Sequence, residues 1–391
     1  MKFSKRSNQF SEGIFSKLLE IKSEKLANGE PVIDLSVGTP NIPPADHIIK
    51  TICSAAGDKN SYIYAINDLS ELLEAVSFWY KKRYKVDLDS KTEVCSLLGT
   101  QEGFAYLSMT IVDEGDLVLV PDPCYPVFAD GPRMAGAELY YMPQKKENNY
   151  IVNLKDIPEE IARKAKLIIV SYPNNPTTAV APDSFYNELI DFAKTYDIIV
   201  LHDNAYSELV FDNKKCGSFL SYPGAKDVGV EFNSLSKTYG LAGARVGFCV
   251  GNKDVVSRLK IFKSNLDYGM FLPIQKAAIA AITGEQSCVA ETRHAYEKRR
   301  DFLCDGFNSI GWKMKKPEAT MFVWATIPPQ YEKSTDFAMD MIKKAGVMIT
   351  PGSAFGPSGE GHVRIALVQD EEVIKKAIDA VDKSQILKTV F

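Results

Sequence analysis

A lysine that follows two serines and precedes a glycine-containing turn is the first feature of the sequence that points to chemistry. Lys237 lies in the segment 232–240, which reads FNSLSKTYG and follows a predicted strand, and Arg245 comes eight residues later. A lysine amine that forms a Schiff base with a carbonyl compound needs a lowered pKa, which burial or neighbouring cations provide. Serine hydroxyls and an arginine are suitable ligands for a phosphate group. The segment therefore predicts a reactive amine beside a phosphate, although a lysine considered alone is more often a surface residue.

Three further segments place polar side chains where predicted strands end. Asp203 directly follows the apolar strand 198–202, and Asn175 follows the strand 167–172 in a turn with two prolines. In an open sheet of parallel strands, ligands bind at the carboxyl ends of the strands. The segment 98–103, LGTQEG, joins a strand to a helix start, where free N–H groups and the helix dipole favour an anion. Each segment alone is also typical of an ordinary turn, and only their combination predicts a binding site.

The elements that would position these residues alternate between helices and strands. Apolar residues recur at helical spacing over 14–26 and over 68–84, and the second helix begins with an Asp68-x-x-Glu71 pair that resembles a capping box. A short strand is predicted between them, and further strands follow at 93–98, 116–120, 167–172, 198–202, 228–232 and 244–250, with helices between several of them. The nearly continuous apolar runs at 167–172 and 198–202 indicate a sheet covered on both faces. We therefore predict an α/β fold with a large domain built on a mostly parallel, wound sheet.

The pattern changes after Gly284, where strands become fewer and are spaced by single helices. The predicted elements there are a helix at 291–307, a strand at 319–327, a helix at 336–345, strands at 347–349 and 363–368, and a helix from Asp370. This pattern predicts a smaller α+β domain. We expect an N-terminal arm and part of the small domain at 1–47, the large domain at 48–284 and the C-terminal small domain at 285–391.

The composition excludes several classes of protein. The chain has 391 residues, 45% hydrophobic and 25% charged, which is typical of a folded globular protein and not of a disordered or collagen-like one. Its 46 basic residues are outnumbered by 50 acidic ones, so nucleic acid is not an expected partner. No long apolar segment predicts a membrane span or a secretory signal, so we expect a cytoplasmic protein. Seven scattered cysteines and four histidines without ligand spacing predict reduced thiols and no metal site.

Together and in this order, the segments resemble the fold-type I aminotransferases that depend on pyridoxal 5′-phosphate, the aspartate aminotransferase superfamily. The resemblance covers essentially the whole chain, and within the superfamily it is greatest to enzymes of the LL-diaminopimelate aminotransferase type. It implies a ping-pong transaminase that passes the amino group of an L-amino acid through the cofactor to a 2-oxo acid, by way of aldimine and ketimine intermediates. Lys237 matches the lysine that forms the aldimine with the cofactor, and Asp203 matches the carboxylate paired with the pyridinium nitrogen.

The same resemblance implies roles for the other candidate residues. Lys237, Asp203 and Tyr206 form the implied catalytic set, and Arg364, with Gly38 and Asn175, the implied substrate site in which the arginine grips the α-carboxylate. The implied cofactor-binding residues are Thr100, Gln101, Tyr125, Asn175, Asp203, Tyr206, Ser234, Ser236, Lys237, Arg245 and Tyr64. Either Tyr62 or Tyr64 matches a tyrosine that reaches the phosphate of a neighbouring subunit, which implies a homodimer with shared active sites.

Other readings of the sequence stay open at this stage. A carbon–sulfur β-lyase could use the same scaffold, because the same carbanion can expel a β-thiolate. A transcription factor that senses pyridoxal phosphate would need a basic DNA-binding module, for which we expect no room before Gly38. An unrelated Rossmann-like binder would require all the motifs to be coincidental. Thr178, Asp68 and Leu73 depart from the usual residues of the family, and the substrate's side chain is not indicated by the sequence.

Overall fold

A seven-stranded sheet forms the centre of the larger part of the protein. The computed structural model describes residues 1–10 and 14–388. Its strands are β1 Ile33–Asp34, β2 Val94–Leu97, β3 Leu117–Asp122, β4 Glu138–Pro143, β5 Ala165–Ser171, β6 Ile199–Asp203, β7 Gly229–Ser234, β8 Gly247–Gly251, β9 Phe322–Thr326, β10 Val347–Met348, β11 Thr350–Pro351 and β12 His362–Ala366. The large sheet has the order β2-β8-β7-β6-β5-β3-β4, and only the two pairs that include β8 are antiparallel. The predicted α/β fold with a mostly parallel sheet is confirmed.

Helices cover both faces of this sheet. The helices are α1 Ile14–Ala27, α2 Asp46–Gly57, α3 Ser70–Tyr84, α4 Thr100–Ile111, α5 Val127–Ala135, α6 Glu159–Ala162, α7 Asp183–Tyr196, α8 Ala225–Val228, α9 Leu235–Thr238, α10 Lys253–Ser264, α11 Leu272–Thr283, α12 Ser287–Ser309, α13 Ser334–Asp340 and α14 Glu371–Ser384. Along β5, Ile168 and Val170 belong to one buried apolar cluster, while Leu167 and Ile169 belong to another. Because alternate residues of a strand point to opposite faces, these two clusters are the two faces of the sheet. The apolar run at 167–172 is explained by the burial of both faces of this strand.

Two small sheets join the beginning of the chain to its end. The strands β11, β12 and β9 form an antiparallel sheet, and β1 pairs in parallel with β10, so that Ile33 lies opposite Val347. A third apolar cluster contains Leu35 together with Phe322 and Val347. Residues from both ends of the chain therefore build one hydrophobic core beside the large sheet.

The predicted capping box at the start of α3 is wrong. The helix begins at Ser70, and its N-cap residue Leu69 makes no side-chain cap. The Asp68 carboxylate instead accepts hydrogen bonds from the backbone N–H of Ser96, at 3.1 Å, and from the hydroxyl of the same residue. Asp68 thus ties the approach to α3 to strand β2, a contact between residues 28 positions apart that local spacing does not reveal.

Several elements have no counterpart among the sequence predictions. The longest of them are β4, α2, α10 and α11. The sequence of α11, LPIQKAAIAAIT, is apolar nearly all round, which weakens the periodic signal of a helix. Strand β4 lies at the edge of the large sheet and is only partly buried, so it lacks the apolar run of the central strands. No helix among the described residues is long and apolar enough to cross a bilayer.

Candidate active site

Asp203 lies at the carboxyl end of β6, in the centre of the large sheet. It is directly opposite Ser171 of β5 and Phe232 of β7 in the strand register. Its side chain is 7% exposed and accepts two long hydrogen bonds, from Ser171 Oγ at 3.2 Å and from the Ala205 N–H at 3.3 Å. Burial raises the pKa of this carboxyl to about 6, and the neighbouring His202 opposes that shift. The carboxylate therefore has capacity for a further, stronger donor.

Lys237 lies on the one-turn helix α9, which follows β7 directly. The Ser234 side chain caps this helix and accepts a hydrogen bond from the Ser236 N–H at 3.1 Å. The Lys237 amine donates to the backbone oxygen of Gly38 at 2.8 Å. Burial, with the cations Arg364 and Arg245, lowers the pKa of the amine to about 8, although Asp203 opposes the shift. The structure thus supplies both conditions that a nucleophilic lysine needs, desolvation and neighbouring positive charge.

A group of donors lies at the start of α4, where the sequence predicts a phosphate seat. Gly99 precedes the helix with a φ of 77°, and Thr100 is its first residue. The guanidinium of Arg245 lies against Gly99, so closely that a Cβ at that glycine would be 2.3 Å from Nη2. The Ser234 hydroxyl donates only one long hydrogen bond, of 3.4 Å, to the Val246 carbonyl. Free N–H groups, hydroxyls and an arginine therefore face one small volume, which suits a dianion.

Arg364 is a buried cation whose partners are all neutral. Its Nη1 donates to Asn175 Oδ1 at 2.9 Å and its Nη2 to the Ser36 carbonyl at 2.8 Å, whereas the buried Nε has no hydrogen-bond partner. The guanidinium carbon lies 4.1 Å from the ring centre of Phe322 and 4.7 Å from that of Phe355. Burial lowers the pKa of this arginine to about 10. A desolvated guanidinium with an unused donor has high affinity for a carboxylate, which would satisfy it by a two-point fork.

Two tyrosines flank the space between these groups. Tyr125 lies beside the phosphate seat, and its hydroxyl donates to Gln101 Oε1 at 3.4 Å. Tyr206 follows Asp203 by three residues and packs edge-on against Phe322, with 5.9 Å between the ring centres. Burial raises the pKa of both phenols. Both hydroxyls therefore stay protonated and can act as donors.

Tyr64 is a predicted site residue that no contact within the chain brings to this pocket. Its side chain is 83% exposed and packs edge-on against Tyr268, with 6.2 Å between the ring centres. Tyr62 is also exposed, but its hydroxyl donates to the Ala56 carbonyl at 2.8 Å within the same chain. Within a single chain, neither tyrosine completes the site.

The remaining residues fit pyridoxal phosphate. A lysine amine with a lowered pKa suits the cofactor's aldehyde, and a buried carboxylate that can accept a further hydrogen bond suits its ring nitrogen. The donors at the start of α4 suit its phosphate. The orphaned Arg364 Nε suits the carboxylate of an amino acid bound beside it.

Four residues of this pocket were missed by sequence reasoning, namely Ser36, Ser171, Phe322 and Phe355. Ser36 contributes a backbone oxygen, for which the sequence has no signal. The two phenylalanines look like ordinary core residues until Arg364 is placed between them.

Comparison with known proteins agrees with this pocket. A family model described as aminotransferase class I and II matches residues 30–381. An LL-diaminopimelate aminotransferase of Moorella thermoacetica is 43% identical over 380 residues, which cover 97% of each chain. A second, from Syntrophobacter fumaroxidans, is 43% identical over 95% of each chain. A substrate-bound structure of BacF from Bacillus subtilis superposes with a TM-score of 0.95 at 35% identity and 98% coverage of both chains.

Proposed function

Because the chain belongs to the class I and II aminotransferases, we propose that its amino donor is LL-diaminopimelate and that it works as a homodimer. The protein is a transaminase that uses pyridoxal phosphate to transfer the amino group of an L-amino acid to a 2-oxo acid. The family, the cofactor and the reaction inferred from the sequence are thereby confirmed. The residue roles, the donor and the assembly are the proposal.

The single observation that carries the proposed roles is the burial of the Lys237 amine, bonded to the Gly38 carbonyl and within the influence of the charges of Arg364, Arg245 and Asp203. When bound, pyridoxal phosphate supplies an aldehyde that captures amines and a ring that accepts electrons from the substrate's α-carbon. Lys237 would hold the aldehyde group through its Nζ, and as a free amine the same Nζ would move a proton at the substrate's α-carbon. Asp203 accepts the hydrogen bond of the ring nitrogen and so keeps its proton in place.

Other residues hold and orient the two ligands. The N-terminus of α4, including Thr100 and Gln101, binds the phosphate together with Ser234, Ser236 and Arg245. Tyr125 would cover the cofactor's ring, while Asn175 and Tyr206 would donate to its phenolic oxygen. Arg364 grips the substrate's α-carboxylate beside Gly38, and its two flanking phenylalanines exclude water from that ion pair. By holding the carboxylate, Arg364 would orient the substrate's α-carbon relative to the cofactor and so select which of its bonds breaks.

The donor is proposed from the relatives, which are named LL-diaminopimelate aminotransferases and match nearly the whole chain. The test is a panel of LL-diaminopimelate, meso-diaminopimelate, L-aspartate and L-phenylalanine, each with 2-oxoglutarate or pyruvate as acceptor. We expect the highest kcat/KM for LL-diaminopimelate. The meso isomer differs only in the configuration of the remote α-carbon, so its kcat/KM relative to LL-diaminopimelate measures whether the enzyme discriminates at that end of the donor. A higher kcat/KM for another donor would refute the assignment.

The lyase alternative gains no support from the names of the relatives. Its test is incubation with cystathionine and no 2-oxo acid. We expect no steady release of pyruvate, whereas sustained release would make elimination the main activity.

The lowered pKa of Lys237 predicts the pH dependence of cofactor uptake. Only the neutral amine attacks an aldehyde, so the rate of pyridoxal phosphate uptake by the apoprotein should rise with pH and level off above about 8. A stopped-flow absorbance titration measures this profile. A rate that continues to climb towards 10.5, the value of an ordinary lysine, would show that the site does not depress the amine's pKa.

The homodimer is supported by an exposed apolar surface around Tyr64. Its exposed side chains include Tyr62, Ile63, Tyr64, Ile66, Tyr268 and Phe271, each more than 40% exposed. They are contiguous, because Tyr62 packs on Phe271, Tyr64 packs on Tyr268, and the Gly269 N–H donates to the Ala65 carbonyl at 2.7 Å. Apolar surface of this kind is typical of an interface. We propose that it contacts a second copy and that Tyr64, whose neighbour Tyr62 is already hydrogen bonded within the chain, reaches the partner's phosphate seat.

Mixing variant subunits tests this shared site. Tyr64→Phe should weaken pyridoxal phosphate binding roughly tenfold, because one hydrogen bond to a charged phosphate is lost. In a hybrid dimer of one Tyr64→Phe subunit and one Lys237→Ala subunit, only the Tyr64→Phe subunit retains Lys237. Its site receives an intact Tyr64 from the Lys237→Ala subunit, so the cofactor affinity of that site should return to the wild-type value. Tyr62→Phe is the matched control and should bind normally. Hybrids that stay weak would place Tyr64 outside the partner's site.

We also propose a cytoplasmic location and the domain division at residues 47 and 284. The free thiols of all seven cysteines, four of them buried, suit a reducing compartment. The seven strands of the large sheet lie between residues 94 and 251, which supports the extent of the large domain.

A further inference from the structure

Asp122 is a buried acidic residue at the carboxyl end of β3, and none of the roles proposed above uses it. Its residue is 5% exposed. The Ser358 hydroxyl donates to Asp122 Oδ2 at 2.7 Å, and the Ser358 N–H lies 3.1 Å from Oδ2 and 3.3 Å from Oδ1. No other described residue donates to this side chain. Ser358 therefore supplies all of its hydrogen bonds, across 236 positions of the chain.

The loop 352–359, which contains Ser358, lies directly against the end of β3. A Cβ at Gly356 would overlap Asp122 Oδ1, and Gly356 has a φ of 125°, so glycine is required there for both space and backbone. The Cys124 N–H donates to the Phe355 carbonyl at 2.8 Å, which is a second bond between the same two segments. The loop is thus fastened to the large sheet at two neighbouring points.

The loop 352–359 is compact, because its two ends touch. A Cβ at Gly352 would overlap the backbone oxygen of Gly359, so the two glycines pack backbone to backbone. Loops whose ends meet in this way move as units. The bond at Ser358 therefore helps to fix the position of Phe355, three residues earlier in the same loop.

Phe355 is one of the two aromatic rings that flank Arg364. It is buried, its ring centre is 4.7 Å from the guanidinium carbon, and Trp324 packs edge-on against it with 6.2 Å between ring centres. An ion pair is stronger where water is excluded, because the local dielectric constant is lower. A displaced Phe355 would admit water to Arg364 and weaken its attraction for a carboxylate.

We propose that Asp122, acting through Ser358, is a positioning residue that holds Phe355 against Arg364 and so sets the affinity of the site for the substrate's α-carboxylate. The inference rests on the proposed role of Arg364. It extends the substrate site to a carboxylate that touches neither ligand. The amino donor and the 2-oxo acid both carry an α-carboxylate, so the contact between Asp122 and Ser358 acts on both halves of the reaction.

The test is the affinity of Ser358→Ala for an unreactive carboxylate. Ser358 is exposed, so loss of its hydroxyl should leave the packing intact. Glutarate and propanoate have the carboxylates of 2-oxoglutarate and pyruvate but no oxo group, and calorimetry on the cofactor-loaded enzyme measures their binding. With whichever of the two the wild type binds more tightly, we expect an affinity loss of about tenfold, because one hydrogen bond to a charged group is removed.

The affinity of the apoprotein for pyridoxal phosphate separates this role from a general loosening of the fold. The proposed phosphate seat does not include Arg364 or the loop 352–359, so Ser358→Ala should bind the cofactor within about twofold of the wild type. In steady-state assays the KM values of donor and acceptor should rise together, with little change in kcat. Equal losses for the cofactor and the carboxylate, or unchanged carboxylate affinity, overturn the proposal.

Two further variants test the contact itself. Ser358→Thr keeps the hydroxyl and the N–H, so it should bind the carboxylate as the wild type does. Asp122→Asn has nearly the same shape without the charge and should show a loss similar to that of Ser358→Ala. Because both changes break one contact, the double variant should bind no more weakly than the weaker single variant. Losses that multiply would show that the two residues act separately, and would overturn the proposal.

An Arg364→Ala background distinguishes failure of this inference from failure of the proposed substrate site. Ser358→Ala should cause no further loss of carboxylate affinity there, and a further loss overturns the inference alone. If Arg364→Ala by itself binds the carboxylate as tightly as the wild type, the proposed role of Arg364 fails instead. Thermal unfolding checks that each variant is folded, and the two variants of the exposed Ser358 still test the inference if Asp122→Asn is not.

Discussion

Lys237→Ala is expected to reduce kcat by roughly 10⁴-fold or more while leaving the fold intact. The variant loses the group that holds the cofactor covalently and the group that moves the proton at the substrate, so two functions disappear with one amine. The side chain makes a single hydrogen bond, to the Gly38 carbonyl, and that oxygen can bind water in the variant. A loss of this size corresponds to about 5.4 kcal/mol of transition-state stabilisation.

Steady-state rates with the best donor, together with thermal unfolding, check this expectation. Lys375→Ala on the exposed face of α14 is the matched control and should retain full activity. Borohydride reduction of the cofactor-loaded wild type, followed by peptide mapping, should label position 237. Retained turnover in Lys237→Ala, or a label on another lysine, would remove Lys237 from the reaction.

Asp203→Asn is expected to lower kcat/KM by about 10²- to 10³-fold. Asparagine has nearly the same shape, so the packing at the end of β6 should survive, but the negative charge that holds the ring nitrogen's proton is lost. The site is 7% exposed, and water cannot replace that charge. Since Asp203 has a raised pKa of about 6, the wild-type kcat/KM should also fall as the pH drops through 6, and this acid limb should vanish in the variant.

The comparison for this prediction is Asp191→Asn, on the exposed side of α7, which should behave as the wild type. Asp203→Glu retains the negative charge but changes its distance from the ring nitrogen, so this variant should keep part of the activity that Asp203→Asn loses. If Asp203→Asn keeps kcat/KM within a few-fold of the wild type, another group must hold the ring nitrogen's proton.

The sequence could identify those site residues that carry their own local signal. Lys237, Asp203 and Asn175 each follow an apolar strand, and parallel strands bring their carboxyl ends to one edge whatever the details of the helices. Thr100 also has a local signal, because it follows a glycine turn and precedes a predicted helix. These signals depend on a few neighbouring residues, and the fold preserves them.

Contacts between distant residues could not be predicted in this way. The Arg364 guanidinium depends on the carbonyl of Ser36, 328 positions away, and on two phenylalanines whose types are common in any core. The pairing of His202 with Glu231 depends on the register of β6 against β7, which no spacing in the sequence reveals. The spacing around Asp68 likewise predicts a helix cap, whereas its carboxylate bonds to strand β2, a distant part of the chain.

The pairing of β1 with β10 has a consequence for how the protein is made. Residues 33–34 leave the ribosome long before residues 347–348 exist, so β1 has no partner strand until those residues have been synthesised. The large sheet, whose strands end at residue 251, can close earlier. We therefore expect nascent chains to assemble the candidate phosphate seat before the substrate site around Arg364, because β10 and Arg364 are synthesised after the large sheet.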